Sequence, residues 1–174
     1  MQSMNVAENL IIRGESAEDI AAIRFVNQQA FGRQDEADLV DSLRSHEAVL
    51  GSFVAALEHQ IVGHILFSRM SIETASNPVP AVALAPVAVL PRHQRAGIGA
   101  QLIRHGLQSL RDDGERIVLV LGETEYYARF GFSAEMARSL ATPFPPAAYM
   151  ALELIPGALN GVRGRVIYPG AFGL

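Results

Sequence analysis

Apolar positions along this chain switch between a spacing of two and a spacing of three to four, and the switches delimit its elements. Leu10-Ile11-Ile12-Arg13 reads as a short first strand. Ser16 and Asp19 stand at capping-box spacing, and Ile20, Ile23 and Val26 follow at helical intervals until Phe31-Gly32. A second helix is expected from Asp35 to about His46, with Leu39, Val40 and Leu43 on its inner face. Phe53 to Leu57 and Ile61 to Ile72 are β-rich, and Glu58-His59-Gln60 between them predicts an antiparallel hairpin.

Ser76 to Pro80 is a loop by composition, and Ala81 to Leu90 is the next strand. Pro86 lies inside that strand without an N–H to give, so a bulge or a lost pairing is expected beside it. Ile98 to Asp113 is the clearest helix. Ile98, Leu102, Ile103, Leu107 and Leu110 make one apolar stripe, Gln101, Arg104, Gln108 and Arg111 face away, and Gly114 is the stop. Arg116 to Leu121 then reads as a buried strand, parallel to the one before the helix. A short helix from Thr124 to about Phe130 ends at Gly131, and Phe132 is expected to open a strand. Thr142-Pro143-Phe144-Pro145-Pro146 is a loop, followed by two strands, Tyr149 to Ile155 and Val162 to Tyr168, joined across Pro156-Gly157 to Gly161. With no internal repeat and no long linker, the whole chain, 1–174, reads as one α/β domain with a mixed sheet. Its core covers about 10–135, and the strands within 149–168 complete the sheet.

The chain has 174 residues, enough for one core of ordinary size, and 49% apolar against 18% charged residues places it among folded proteins. A net charge of −4 weighs against a general nucleic-acid binder. The absence of cysteine removes disulfides, thiolate metal sites and thiol nucleophiles. Met1 to Arg13 lacks the pattern of a secretory signal, and Ser76 to Pro91, the longest uncharged stretch, carries four prolines and is too broken to span a bilayer. A soluble, cytoplasmic protein is expected. The five histidines show no paired ligand spacing, so no metal is expected.

The chemistry concentrates in Val87-Ala88-Val89-Leu90-Pro91-Arg92-His93-Gln94-Arg95-Ala96-Gly97-Ile98-Gly99. An apolar strand feeds a basic turn, and two glycines open a helix. Such a helix mouth leaves main-chain N–H groups unpaired where the helix dipole favours negative charge, a ready cradle for phosphate or diphosphate.

Gln94-x-x-Gly97-x-Gly99, with its flanking strand and helix, resembles the acyl-CoA-binding signature of the GNAT superfamily of N-acetyltransferases. A second block, Tyr126-Tyr127-Ala128-Arg129-Phe130-Gly131-Phe132, resembles the Tyr-x-x-x-Gly-Phe segment that follows the fifth strand there. The order of elements from Leu10 to about Phe132 agrees, and the C-terminal part looks like a bacterial branch of unassigned substrate. The resemblance implies a mostly antiparallel sheet with a splayed strand pair, flanked by helices. It implies acetyl-CoA as co-substrate, its diphosphate wrapped by main-chain amides of Arg95, Ala96, Gly97, Ile98, Gly99 and Ala100. Val87, Ala88 and Val89 would hold the pantetheine arm as if it were an added strand, with the Val89 amide toward the thioester oxygen. Tyr127 would be the acid for the departing thiolate, since a phenol with a pKa near ~10 carries its proton at neutral pH.

Without a cysteine, an acyl-enzyme through a thiol is impossible, and direct attack by a primary amine is the expected route. Glu123, His64 and Glu73 are the carboxylates and imidazole weighed as bases, none of them preferred. The sequence departs from the family at Arg95, where many relatives have glycine, and in lacking an asparagine between Val120 and Glu125. The acceptor is a small molecule or a protein amine, and a homodimer through the C-terminal strands is an open expectation. A non-catalytic acyl-CoA-binding module is the alternative from another class, and a transferase for longer acyl chains a third.

Overall fold

The computed structural model describes residues 9–174. The reading of Met1 to Arg13 as free of a secretory signal falls mostly on residues outside that span. Among the described residues no helix is long and apolar enough to cross a membrane.

The order of elements is β1 (Leu10–Gly14), α1 (Ile20–Phe31), α2 (Asp35–Ser45), β2 (Val49–Leu57), β3 (Gln60–Glu73), β4 (Val79–Val89), α3 (Ile98–Asp112), β5 (Ile117–Leu121), α4 (Thr124–Ala128), β6 (Leu140–Ala141), β7 (Tyr149–Glu153) and β8 (Gly164–Ile167). They build one eight-stranded sheet in the order β1-β2-β3-β4-β5-β7, with β8 against the far end of β3 and β6 beside β8. The α/β mixed sheet is as expected: β4–β5 and β6–β8 are parallel and the other pairs antiparallel.

The sheet has two covered faces, set by the period of β3. Gly63, Ile65 and Phe67 face α3: a Cβ on Gly63 would meet Leu102 at 3.0 Å, and one on Gly106 of α3 would meet Phe67 at 2.2 Å. Absent side chains at these two positions let the helix settle onto the strand. The predicted stripe Ile98, Leu102, Ile103, Leu107 and Leu110 is fully buried there, each side chain contributing roughly 1.5–3 kcal/mol before entropic costs. Leu66 faces the other way, onto Ile23 of α1 and Val40 and Leu43 of α2. Farther along that second face Met70, Ile72, Ala83, Leu119 and Tyr149 share a further apolar cluster.

Pro86 does what the sequence suggested. Between the pairs Ile65–Val87 and Phe67–Leu84, β3 has one residue and β4 has two, Ala85 and Pro86, which is a bulge. On its other edge β4 pairs with β5 only at Val82–Val118 and Ala83–Leu119. Beyond Ala83 the two parallel strands part.

Four expectations change. Ile20 is exposed rather than inward, because a 3-10 turn over Ala17–Asp19 precedes α1 and leaves its first residue overhanging the core. α4 is shorter than predicted, ending at Ala128. Phe132 opens no strand: only Ser133 bridges to Ala151, and the Ser133 hydroxyl then accepts the N–H groups of Glu135 and Met136 at 3.1 and 3.4 Å, turning the chain away. The two C-terminal strands do not lie side by side. β7 joins β5, whereas β8 crosses to β3 after turns at Gly157 and Gly161, both at positive φ.

Candidate functional site

The turn ahead of α3 is held by main-chain geometry. Arg95 (φ 63°) and Gly97 (φ 81°) are both left-handed, which bends the chain into the helix axis. Gln94 donates its side-chain N–H to the Val89 carbonyl at 3.0 Å, pinning the turn to the strand end. The first N–H to be used inside the helix is that of Gln101, bonded to the Gly97 carbonyl at 3.1 Å. Among the described residues the N–H groups from Arg95 to Ala100 donate to no protein acceptor. Ile98 and Ala100 bury their side chains while Gly97 and Gly99 keep the mouth open. The result is a bare, positively polarised helix end just after Arg95 in the chain.

The parted strand supplies a second set of free groups. The Leu90 N–H donates to the Val62 carbonyl at 2.9 Å, so Val89 and Gly63 form a non-hydrogen-bonded pair. The N–H and carbonyl of Val89, and by alternation those of Val87, therefore point away from β3. They face the side where β5 has stopped pairing. The Val89 carbonyl is taken by Gln94; its N–H is not. Ala88 instead bonds inward, opposite His64. Val87 and Val89 thus line the gap with main chain, and Ala88 keeps the strand attached.

Behind the gap stands an aromatic cluster. Tyr126 and Tyr127 meet edge to face with ring centroids 5.1 Å apart, and Phe132 closes on Tyr127 at 5.8 Å. Tyr127 is 8% exposed, its ring pressed over Gly122, where a Cβ would come within 2.4 Å of it. Enclosed side-chain polar atoms without a partner are, among the described residues, Asn27 Oδ1 and Ser68 Oγ. Among the described residues the Tyr127 hydroxyl has no protein hydrogen-bond partner, and it is not one of these enclosed atoms. Burial, then the neighbouring Tyr126 and Glu123, pushes its pKa up to about 12, above the ordinary phenol value assumed from sequence. The Tyr126 hydroxyl lies over the first turn of α3, 3.2 Å from where a Cβ of Gly99 would stand, with the Arg129 guanidinium 5.5 Å from its ring centroid. No sequence spacing connects Tyr126 with Gly99; only the packing of α4 beside α3 does.

The three weighed bases separate cleanly. His64 is fully buried: Asn27 Nδ2 lies 3.1 Å from Nδ1 and Ser52 Oγ 2.8 Å from Nε2. Asn27 also donates to the Ile23 carbonyl at 3.0 Å, which fixes its amide, so Nδ1 accepts and Nε2–H donates to Ser52. The trio therefore cannot activate the serine, despite its likeness to a hydrolytic triad. Burial, with the Arg44 charge adding to it, drives the His64 pKa down to about 3. Glu73 pairs with Arg165 at 3.4 Å, at the opposite end of β3, about 30 Å along the strand from His64. Glu123, at the N-terminus of α4, is the one of the three near Tyr127, since its charge raises that phenol's pKa.

Known proteins share both the sequence and this shape. Residues 12–134 match the acetyltransferase (GNAT) domain family. YhbS of Escherichia coli, an uncharacterized N-acetyltransferase, is 32% identical over 162 residues, covering 91% of this chain and 96% of YhbS. YjhQ, another from E. coli K12, is 43% identical over 116 residues, covering 66% of this chain and 64% of YjhQ, a little under two thirds of its length. The crystal structure of E. coli YhbS in complex with CoA superposes with a TM-score of 0.88 at 31% identity, covering 95% of this chain and 93% of YhbS. A GNAT acetyltransferase of Brucella melitensis in complex with acetyl-CoA gives 0.79 at 37% identity, with 94% and 98% covered. The extent of the family match and the near-complete overlap with YhbS show that this chain belongs to the GNAT acetyltransferase family.

Proposed function

We propose that this protein transfers an acetyl group from acetyl-CoA to a primary amine by direct attack. The observation that carries the reading is the run of N–H groups from Arg95 to Ala100, unpartnered among the described residues, opening onto a strand edge where the Val87 main chain and the Val89 N–H also face the gap. A diphosphate satisfies the first set and an extended amide-bearing chain the second; CoA carries both in that order. The CoA and acetyl-CoA bound to the YhbS and Brucella proteins support the assignment.

In this reading the pantetheine arm lies along this edge and pairs with the Val87 main chain, which leaves the Val89 N–H for the thioester, near the Tyr127 hydroxyl. The neutral amine attacks the carbonyl carbon, and the Val89 N–H receives the oxygen as charge gathers on it. The C–S bond then breaks. The nitrogen loses one proton and the sulfur gains one, so protons balance without a metal or an acyl-enzyme. With its pKa near 12, Tyr127 is a weaker acid than a free phenol. Full proton transfer to a thiolate whose own pKa is near ~8.5 is uphill, so its service is a hydrogen bond to the sulfur as charge builds there. The nitrogen's proton follows to complete the thiol. Glu123 stands near enough to pass it by way of water.

Calorimetry with CoA tests the cradle, and thiol release from acetyl-CoA over an amine panel tests the chemistry. Glutamates at Gly97 and Gly99 are expected to abolish CoA binding, and Tyr127→Phe to lower kcat while leaving that binding intact. Full affinity in the double glutamate variant would sink the reading. Binding with no turnover of any amine would return it to a sensing module.

A further inference from the structure

The acceptor side of the site is open in the sequence, but the fold narrows it. Both the bare helix end and the Tyr126 hydroxyl lie on the α3 face of the sheet. A cofactor held there fills that face, so an amine must reach the thioester from the opposite one. On that opposite face, among the described residues, a cavity of about 790 Å³ lies under the loop between Ser133 and β7. Its wall is directly connected to the seat of Tyr127. The Gly122 N–H donates to the Ala148 carbonyl at 3.0 Å, and the Thr124 hydroxyl donates to the Ala147 carbonyl at 2.8 Å. Gly122 in turn carries the Tyr127 ring. The volume is within the usual range for a small-molecule site.

Its chemistry is one-sided. Ala137, Leu140 and the ring of Tyr149 form an apolar floor, and the Tyr149 hydroxyl is already committed to Tyr168 at 2.9 Å. The charged side chains at the rim are one acid and one base, Glu135 and Arg138, 3.9 Å apart and both largely exposed. They cancel. A polycation finds no acidic wall here, whereas the apolar body of a monoamine displaces water from the floor. Resting on the acetyl-transfer reading above, we infer that this cavity receives the acceptor. The acceptor is a primary amine on an apolar, ring-sized body rather than a polyamine or an aminoglycoside.

The test compares acetylation of phenethylamine, spermidine and kanamycin by the full chain. Phenethylamine is expected to lead in kcat/KM by about ten-fold or more, the scale of burying one apolar ring. Ala141→Trp and Ala147→Trp plug the cavity from exposed positions, where a large side chain does not disturb the core. Each should raise the phenethylamine KM about ten-fold, with the acetyl-CoA KM and Tm within error of the parent. Preference for spermidine or kanamycin, or plugs without effect on the phenethylamine KM, overturns the assignment and leaves acetyl transfer standing. Turnover of none of the three while acetyl-CoA binds overturns the acceptor assignment, and only silence across the whole amine panel overturns acetyl transfer as well.

Discussion

Gly122→Ala isolates the seat of Tyr127 better than any change to the tyrosine itself. Gly122 has no positive φ, so alanine meets no backbone strain there; the only obstacle is the ring. The new methyl would stand 2.4 Å from Tyr127 Cε2 and 3.0 Å from Cδ2. Carbon atoms settle at about 3.5–4.0 Å, so the ring has to retreat by about 1 Å. Phe132 and Tyr126 block two ways out, at centroid distances of 5.8 and 5.1 Å. Overpacking of this kind costs roughly 1–3 kcal/mol of stability, or about 2–12 °C in Tm for a chain of this size. A catalytic hydroxyl misplaced by about 1 Å costs about 10²-fold in rate.

The assay is thiol release with an amine that the parent acetylates, with kcat and the acetyl-CoA KM read separately. Expected is a kcat lower by about 10- to 100-fold and an acetyl-CoA KM within about two-fold, because the Arg95–Ala100 cradle does not touch Gly122. The decisive comparison is the cycle with Tyr127→Phe. If the methyl acts only by moving the hydroxyl, then in the phenylalanine background it has almost nothing left to remove. Unchanged kcat in Gly122→Ala, or a penalty that simply adds to that of Tyr127→Phe, refutes the placement of Tyr127 at the reacting sulfur.

Three further outcomes are expected. Tyr126→Phe should weaken CoA binding about ten-fold in calorimetry, the scale of one hydrogen bond to a charged oxygen, with kcat at saturation little changed; equal affinity would make Tyr126 a packing residue. Gly97→Ala forces an L side chain into a left-handed turn and should cost about 1–2 kcal/mol, seen as a lower Tm and weaker CoA binding. His64 has a folded pKa of about 3 against about 6.5 when unfolded, so the unfolded chain binds the extra proton between those values. Its contribution is whole above about pH 6.5 and is lost as the pH falls toward 3. From about pH 7.5 to about pH 5 the loss is ~2 kcal/mol, and His64→Gln should lose less Tm over that interval; parallel curves would mean that the imidazole is protonated in the fold.

How much of this was written in the sequence depends on how local each feature is. The turn and α3 were legible because their causes sit within a few residues: Gly97 and Gly99, then an apolar stripe at helical spacing. The disturbed pairing of β4 was legible from Pro86, since a missing N–H predicts a missing bond, and the splayed strand pair from the family resemblance. The excursion of β8 to the far end of β3 was not, because Gly157 and Gly161 announce turns without saying where the chain goes next. The Asn27–His64–Ser52 network was hidden in plain periodicity. His64 shares the inward alternation of Leu66, and Asn27 follows Ile23 by one helical turn, but a pattern of apolar positions has no term for polar groups that satisfy one another.

The glycines make the same division sharper. Gly97 declares itself by its neighbours in the chain, whereas Gly122 and Gly99 matter for what sits across from them, the rings of Tyr127 and Tyr126. A side chain that must be absent leaves no chemical signature of its own; its reason lies in another element that fills the space. The seat of the Tyr127 ring and the place of the Tyr126 hydroxyl over the mouth of α3 could therefore be found only once α4 was seen packed beside α3. Substitutions there should change rate and affinity without altering any residue that the family pattern marks.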